Sequence, residues 1–209
     1  MNVYDREVLP RITKWLLDRP EIFALRKKTT AGLHGDVVEI GFGSGLNLPA
    51  LPPEVERLHA VDPDQTGRRM AGELIARSPV DVEFVGLDGQ RLPLADASMD
   101  GALSTFTMCS IPDLGKALDE LWRVLKPGAE LHFLEHGRSD EPAVARRQAR
   151  INPFYTPFAG GCRLDVPIAE SVRAAGFEIT SLSARHRGFP KVASYVLRGV
   201  ARKPAQKKP

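Results

Sequence analysis

The sequence predicts an α/β fold in which a mostly parallel sheet carries helices on both faces. Two observations support this prediction. From residue 36 onward, short runs of β-branched and apolar residues alternate with helical patterns, which is the signature of βαβ units. The first of these runs leads directly into a glycine-rich turn, as strands of such sheets do where they bind ligands. With 209 residues, the chain has the length of one domain with a sizeable core.

The first 35 residues are predicted to form a helical cap over a ligand cleft. Residues 3–28 carry apolar side chains at roughly helical spacing, and Pro20 divides them into two helices. Two interpretations of Arg26, Lys27 and Lys28 stay open: contact with an anionic membrane surface, or solvated positions on helices that pack on the sheet or cover the cleft. We favour solvated positions, because three basic residues fall short of a polybasic cluster.

The first predicted strand, residues 37–40, is followed at once by Gly41, Gly43 and Gly45. Glycines permit unusual backbone angles and let a ligand approach the main chain where a strand gives way to a helix. Glu39 precedes them, and the third glycine comes one residue earlier than in the G-x-G-x-x-G dinucleotide fingerprint. This spacing argues against a dinucleotide oxidoreductase and favours a turn that binds S-adenosylmethionine (SAM), which has no pyrophosphate.

Acids also mark the ends of the next two predicted strands. The run at residues 58–62 ends in Asp62, and the run at residues 82–85 is followed closely by Asp88. Ligands in open α/β sheets bind at the carboxyl ends of the strands, and a carboxylate there can accept hydrogen bonds from both ribose hydroxyls. We therefore expect these acids to converge on a nucleoside, the alternative for each being a helix N-cap or a surface charge.

The remaining elements continue the alternation and end the domain at residue 202. In chain order they are a helix at 65–77, a strand at 99–105, a helix at 114–125, a strand at 130–134, helices at 143–150 and 168–175, and strands at 177–182 and 192–200. The segment between the last two strands is too short for a helical crossover, so we predict that they pair antiparallel. Residues 203–209 are predicted to be a flexible basic tail.

Composition bounds the class of protein. The net charge is only +3, no signal peptide is recognisable, and no apolar run is long enough to cross a bilayer. Cys109 and Cys162 lie far apart, in no metal-like spacing; they either flank an acceptor pocket or, as we favour, fill space in the core. We therefore expect a cytoplasmic enzyme with reduced thiols, no metal, no nucleic-acid partner and at most peripheral membrane contact.

Several segments resemble class I SAM-dependent methyltransferases, in particular those with a type 11 methyltransferase domain. Residues 39–45 resemble their first motif, and residues 87–94 resemble their adenine-binding segment. Asp62 and Pro63 are similar to the ribose-binding end of their second strand, and residues 121–129 to the helix and turn before their fifth. The resemblance implies a Rossmann-like seven-stranded sheet over residues 36–202, with helices on both faces and an antiparallel last strand. It also implies SAM as the cofactor and S-adenosylhomocysteine as its product.

A narrower resemblance connects the chain with thiol methyltransferases and with the ubiquinone/menaquinone methyltransferases. It rests on residues 109–111, 133–136 and 160–164, and on Tyr4 and its neighbour near the start. In this group the leading helix folds over the cofactor. Two departures concern the acceptor. We expect no counterpart of the hydrophobic N-terminal anchor of the membrane-bound thiol methyltransferases. In addition, Arg163 and Asp165 follow the turn at Cys162, where the family usually has polar residues of other kinds.

The resemblance implies a role for each candidate site residue. The glycines and Glu39 would meet the methionine and ribose portions of SAM, and Asp62 would meet the ribose diol. The adenine would contact Leu87, Asp88 and Gly89, and the sulfonium would lie near Thr105 and Phe106. His136, at the end of the fifth strand, is the candidate catalytic base because a histidine there faces the cleft; the alternative is a structural histidine bonded to the backbone.

The expected substrate is a small lipophilic nucleophile, with a thiol first and a quinol or phenol next. The aromatic and proline residues at 152–158 would form a wall or lid for it. Their N-P-F-Y sequence is similar to a motif of amino-methylating enzymes. In those enzymes the motif ends the fourth strand, whereas here residues 104–107 occupy that position. Two alternatives stay open: a phospholipid headgroup or other amine acceptor, approached through Arg146, Arg147 and Arg150, and a SAM-binding module without turnover.

Overall fold

A seven-stranded sheet organises the protein in the computed structural model, which describes residues 3–205. The strands are β1 Gly35–Ile40, β2 Val55–Val61, β3 Asp81–Gly86, β4 Met99–Thr105, β5 Leu125–His136, β6 Glu178–His186 and β7 Tyr195–Arg202. Their order is β3-β2-β1-β4-β5-β7-β6. Strands β1 to β5 are parallel, whereas β7 runs antiparallel to both β5 and β6. The predicted fold class is confirmed, including the antiparallel last strand.

Seven α-helices accompany this sheet within the described residues. They are α1 Leu9–Leu17, α2 Pro20–Thr30, α3 Gln65–Met70, α4 Gly72–Arg77, α5 Leu114–Val124, α6 Pro142–Tyr155 and α7 Ile168–Ala174. Two predicted helices differ from those observed. The one predicted at 65–77 is divided at Ala71, whose ψ of −11° departs from α-helical values. The one predicted at 143–150 continues to Tyr155 with Pro153 inside it.

The core consists of two apolar layers, one on each face of the sheet. Strand β1 contributes to both, because Val37 packs on one face with Leu58 and Leu103 while Val38 packs on the other with Leu121. All of these side chains are fully buried. Burial on both faces is the normal condition of a central parallel strand, and it explains why Val37, Val38 and Ile40 of β1 are all apolar.

The two leading helices differ in how they contact the sheet. Leu25 of α2 is buried against Leu134 of β5 and Val196 of β7. In contrast, none of the described residues of α1 is buried, and Trp15 is 68% exposed. Arg26 of α2 is only 4% exposed, so the expectation that it is solvated is wrong; it lies on the helix face that packs inward.

The far end of the chain is held more firmly than the sequence suggests. Lys203, the first residue of the predicted flexible tail, donates from Nζ to the carbonyls of Trp122 and Leu125, at 2.6 Å each. Residues 206–209, which make up most of that predicted tail, lie outside the described range. Among the helices between residues 3 and 205, none combines the length and the apolar character that crossing a membrane requires.

Candidate active site

The glycine turn after β1 is shaped by positive backbone angles. Gly41 has φ +77° and Gly43 has φ +53°, a region that side chains rarely adopt. A Cβ atom at Gly41 would overlap the side chain of Thr107, so this glycine is needed for packing. At Gly43, by contrast, no heavy atom of the described residues, apart from Gly43 and its two chain neighbours, lies within 4 Å of the corresponding position. The main chain at Gly43 therefore faces open space that a ligand can enter.

Asp62, directly after β2, joins that strand to the glycine turn. Its Oδ2 accepts a hydrogen bond from the Gly43 amide at 2.6 Å, and its Oδ1 accepts one from the Asp64 amide at 2.6 Å. Burial raises the pKa of this carboxyl group, although both backbone amides act in the opposite direction. Each oxygen keeps a second lone pair. Asp62 thus bonds to the glycine turn, while its predicted contact with a ribose stays a prediction.

Glu39 is a fully buried acid beneath the same turn. Its Oε1 accepts a hydrogen bond from Asn47 Nδ2 at 2.6 Å. Its Oε2 is buried without a hydrogen-bond partner in the described part of the chain. Burial raises the pKa of Glu39 to about 8. Because an unpaired buried acceptor is costly, this oxygen marks a position at which a donor group of a ligand would be stabilised.

A polar network that the sequence analysis missed surrounds Glu39. Arg26 Nη1 donates to Asn47 Oδ1 at 2.7 Å and to Thr105 Oγ1 at 2.8 Å. Asn47 Nδ2 also donates to Thr105 Oγ1, at 2.9 Å. Burial lowers the pKa of Arg26 to about 10, which still leaves it charged at neutral pH. The helix α2 is thus bonded to the ends of β1 and β4 through buried polar groups.

Two sequence signals could have found these residues. Arg26 lies next to Leu25 and three and four residues before Thr29 and Thr30, which places it on the buried face of a helix. Asn47 is the one amide side chain within the otherwise apolar and glycine-containing segment 45–51. A buried face and a polar side chain beside a glycine turn are both typical of a binding site.

Glu135, near the end of β5, orders the loop that follows β4. It accepts hydrogen bonds from Ser104 Oγ at 2.7 Å and from the amides of Thr107 and Met108 at 2.9 and 3.1 Å. Burial raises the pKa of Glu135 to about 7. Phe106, within this loop, has φ +55°, a strained conformation for a residue with a side chain. Glu135 therefore holds Phe106 at the carboxyl end of β4.

The loop after β3 is more exposed than the segments that follow β1 and β2. Asp88 is exposed and accepts hydrogen bonds from the amide and Nε2 of Gln90, at 2.9 and 3.0 Å, and these bonds lower its pKa. Leu87 is 62% exposed. Gly89 faces Ile40 of β1, since a Cβ atom there would lie 3.4 Å from it. The loop thus adjoins the first strand, while the Asp88 carboxylate bonds within its own turn.

The segment before α1 connects two elements at this edge of the sheet. The Tyr4 hydroxyl donates to the Phe158 carbonyl at 3.0 Å. Glu7 Oε1 accepts a hydrogen bond from Arg69 Nη2 of α3 at 3.2 Å. Gly160 approaches Leu9, whose side chain would lie 2.9 Å from a Cβ atom there. Pro63 is exposed near the start of α3. The leading segment therefore spans from α3 to the turn after α6.

His136 lies within a cluster that also contains both cysteines. Its Nε2 contacts the Ala193 carbonyl, which makes Nε2 the protonated nitrogen when it donates there. Its Nδ1 lies 3.9 Å from Cys162 Sγ, and the sulfur atoms of Cys162 and Cys109 are 3.2 Å apart. Burial lowers the pKa of His136, but the hydrogen bond and charge of Cys162 outweigh it, so the net shift is upward. The backbone bond predicted as the alternative for His136 is therefore present.

A cavity of about 450 Å³ opens elsewhere on the surface. It is lined by Pro112, Asp113, Leu114, Arg163, Asp165, Val166, Pro167 and Ser171. None of the predicted cofactor residues lines this cavity, although the structure describes all of them. The chemistry of the strand ends, rather than the size of a cavity, therefore identifies the site.

Comparison with known proteins agrees with this geometry. The family model described as a methyltransferase domain matches residues 38–133. The chain is 30% identical over 150 residues to thiol S-methyltransferase TMT1B of Rattus norvegicus, covering 70% of this chain but 61% of the rat protein. The chain thus spans less than two thirds of that relative. It is 33% identical over 183 residues to demethylmenaquinone methyltransferase of Roseiflexus, covering 79% of this chain and 77% of that protein.

A solved structure shares the fold at lower identity. A SAM-dependent methyltransferase of Thermotoga maritima superposes with a TM-score of 0.67 at 22% identity, covering 96% of this chain and 97% of that one. At this identity the likeness concerns the fold. The superposition extends over almost the whole of both chains and so covers more than the first motif.

Proposed function

The chain belongs to the SAM-dependent methyltransferases, and from that premise we propose that it binds SAM at the carboxyl ends of β1 and β2 and methylates a small lipophilic nucleophile. A thiol is the favoured acceptor, with a quinol or phenol next. The observation that carries the proposal is the buried Glu39 oxygen without a partner among the described residues, beside a glycine turn that faces open space at Gly43.

The residues present fit the chemical groups of SAM. The ammonium group of its methionine portion is a cationic donor and would pair with the unpartnered oxygen of Glu39. Its positive charge would lower the raised pKa of Glu39, so that the carboxyl group binds the ammonium in its ionised form. The free lone pairs of Asp62 suit the ribose diol. Gly41 and Gly45 set the backbone of the turn, with φ +77° and +73°, and Gly43 lets the cofactor approach. Each contact uses a group that the fold leaves available.

The adenine and sulfonium ends have further candidates. Leu87, 62% exposed, offers an apolar surface for the adenine ring, with Asp88 and Gly89 beside it. Thr105 and Phe106 would lie near the sulfonium. Pro63 follows the ribose site, and Tyr4 belongs to the leading segment that we propose as the cap. These assignments complete the cofactor site inferred from the sequence.

The chemistry divides between cofactor and protein. SAM supplies a methyl group on a sulfonium, whose transfer is already favourable. The protein must exclude water, align the acceptor, and remove a proton from an acceptor that carries one. His136 Nδ1 is the candidate proton acceptor, because Nε2 is engaged by the Ala193 carbonyl. A thiol needs this help least, because sulfur is a strong nucleophile and a thiol as acidic as cysteine, with a pKa of about 8.5, is partly ionised at neutral pH.

Exposed aromatic residues support a lipophilic acceptor. Phe154 at the end of α6 is 77% exposed, and Phe158 in the next turn is 70% exposed. Phe158 is bonded through its carbonyl to Tyr4, so this apolar surface adjoins the proposed cap. The names of the rat and Roseiflexus relatives, a thiol and a demethylmenaquinone methyltransferase, suggest the same two acceptor classes.

The test is methyl transfer from SAM with a labelled methyl group to a panel of small thiols, quinols, phenols and amines. We expect transfer to apolar thiols at the highest kcat/KM, with quinols or phenols next. Transfer only to polar amines would contradict the acceptor class. Binding of S-adenosylhomocysteine without transfer to any acceptor would instead support a SAM-binding module without turnover.

A phospholipid amine is the second candidate acceptor, favoured by one feature of the surface. The apolar side chains of Ile12 and Trp15 on α1 are exposed, as are Arg146, Arg147 and Arg150 on α6. Apolar and cationic groups together suit an anionic lipid surface. Vesicles containing phosphatidylethanolamine, added to the same assay, distinguish the two: methylated headgroup supports this candidate, and its absence beside an active thiol substrate removes it.

A further inference from the structure

We propose that Cys109 and Cys162 form a reversible intramolecular disulfide, in which Cys162 reacts with the oxidant and Cys109 then displaces the oxidised group. This modification site goes beyond methyl transfer and does not depend on it. The two residues are 53 positions apart, and both are free thiols in the structure as described. Cys109 belongs to the 3-10 turn Met108–Ser110 after β4, whereas Cys162 follows the turn after α6.

The two sulfur atoms are already in contact. They lie 3.2 Å apart, whereas a disulfide bond is about 2.05 Å long, so closure needs a shift of only about 1 Å. Hydrogen bonds already hold the two backbone segments together. The Arg163 amide donates to the Cys109 carbonyl at 3.0 Å, and Arg163 Nη2 donates to the Ile111 carbonyl at 2.8 Å. The two thiols are therefore held next to each other before the bond forms.

The surroundings give the two thiols different roles. Cys109 is 2% exposed, whereas Cys162 is partly exposed and can meet a small oxidant. His136 Nδ1 lies 3.9 Å from Cys162 Sγ and can receive its proton. The contact with Cys109 and the neighbouring His136 lower the pKa of Cys162 against the effect of burial. The contact with Cys162 and burial raise the pKa of Cys109. Because the thiolate is the reactive form, Cys162 reacts first.

The reaction balances with either of two oxidant classes. With a peroxide, the Cys162 thiolate attacks one oxygen, the O–O bond breaks, and a sulfenic acid and hydroxide (or alkoxide) result. With a low-molecular-weight disulfide, attack forms a mixed disulfide and releases one thiolate. The Cys109 sulfur then attacks Cys162 Sγ as it loses its proton, which releases water in the first case and the second thiol in the other. Two electrons pass from the cysteine pair to the oxidant.

The bond would connect two loops at the carboxyl edge of the sheet. Cys109 lies three residues after Phe106 in the loop that Glu135 holds, and Cys162 lies four residues after Phe158. Oxidation would therefore fix the segment after β4 to the segment that bears the exposed aromatic residues. Reduction by a dithiol would release both.

Thiol counting on the full chain tests the proposal directly, because the sequence has only two cysteines. The reduced protein is treated with hydrogen peroxide or oxidised glutathione, denatured, and assayed for free thiols and intact mass. We expect both thiols to be lost, a mass decrease of two hydrogen atoms, a monomer on a non-reducing gel, and full reversal by dithiothreitol. Two free thiols after treatment, or cross-linked dimers, would overturn it.

Single variants test the order of events. In Cys109→Ser we expect Cys162 to react at close to the wild-type rate and to remain as a sulfenic acid or a glutathione adduct. In Cys162→Ser we expect Cys109 to stay unmodified, because it is buried. A reactive Cys109 with an inert Cys162 would overturn the assigned roles. Circular dichroism checks that each variant folds, and the wild-type thiol count decides the disulfide itself without them.

Discussion

At the scale of single residues, Glu39 combines two properties that are rarely found together. It is fully buried, yet one of its oxygens has no partner among residues 3–205. A purely structural acid would be expected to satisfy both oxygens. The arrangement instead resembles a binding group that is completed by a ligand, and it has a consequence for stability that pH can reveal.

We predict that the free energy of unfolding depends on pH through Glu39. In the unfolded chain this carboxyl group loses its proton near pH 4.5, but in the folded protein burial raises its pKa to about 8. The folded state therefore binds more protons between these values, so the stabilisation is present below about pH 4.5 and is lost as pH rises through about 8. Urea unfolding of the wild type and of Glu39→Gln across pH 5 to 9 measures this.

The variant isolates the contribution of Glu39, since Glu135, whose pKa is also raised by burial, is common to both proteins. We expect the wild type to lose on the order of 4 kcal/mol relative to Glu39→Gln over that range, because each pKa unit between 4.5 and about 8 corresponds to about 1.4 kcal/mol. A difference that stays constant with pH would show that Glu39 does not change ionisation in the folded protein.

Single residues also show where sequence reasoning stops. Asp62 and Glu39 could be placed beside the glycine turn because chain order and strand direction alone determine which strand ends meet. Arg26 and Asn47 carry sequence signals of their own, but their hydrogen bond could not be predicted, because it depends on how α2 packs across the end of the sheet. The role of Asp88 stays a prediction: its position after β3 is as expected, while its carboxylate bonds to Gln90.

At the scale of elements, the glycine turn separates packing from binding. Alanine in place of Gly41 or Gly43 must adopt a left-handed φ, which costs about 1–2 kcal/mol. We predict that Gly43→Ala costs only this amount but weakens S-adenosylhomocysteine binding at least about tenfold, because its Cβ enters the open space beside the turn. Gly41→Ala should lose about 1–3 kcal/mol more through overlap with Thr107. Equal binding by Gly43→Ala and the wild type would contradict the assignment.

The helix α2 gives a second prediction at this scale. Arg26→Met removes the bonds to Asn47 and Thr105 and should lower the free energy of unfolding by about 2 kcal/mol. Lys28→Met, on the exposed side of the same helix, is the matched control and should change it by less than about 0.5 kcal/mol. Chemical denaturation measures both, and equal effects would mean that the Arg26 network does not hold α2 in place.

Helices and strands with a strong repeating pattern could be predicted from the sequence. The positions at which a helix is interrupted, or continues through a proline, could not. The i, i+3, i+4 pattern of α5 and the β-branched runs of the sheet are local properties, and all seven strands were found. The division of helix 65–77 at Ala71 and the continuation of α6 through Pro153 were not predicted. A glycine or proline weakens a helix locally, but the sequence pattern does not determine whether the helix ends there.

At the scale of the whole molecule, the leading segment joins parts that are distant in the chain. Tyr4 bonds to Phe158, and Glu7 bonds to Arg69, while the described residues of α1 include no buried side chain. We predict that deleting residues 1–18 leaves the sheet folded but accelerates dissociation of S-adenosylhomocysteine at least about threefold, because a cap slows release. Stopped-flow fluorescence with Trp15→Ser as the full-length control measures this; an unchanged rate would show that α1 is not a cap.

The central claim is that Asp62 and the glycine turn bind the nucleoside of the cofactor. Isothermal titration calorimetry with S-adenosylhomocysteine tests this claim most directly. We predict that the wild type binds one equivalent and that Asp62→Asn binds at least about tenfold more weakly, a loss of about 1.4 kcal/mol. The same change at Asp81, which lies at the opposite end of β3 in an exposed ion pair with Arg57, should leave the affinity unchanged. Equal affinities for Asp62→Asn and the wild type would contradict the account.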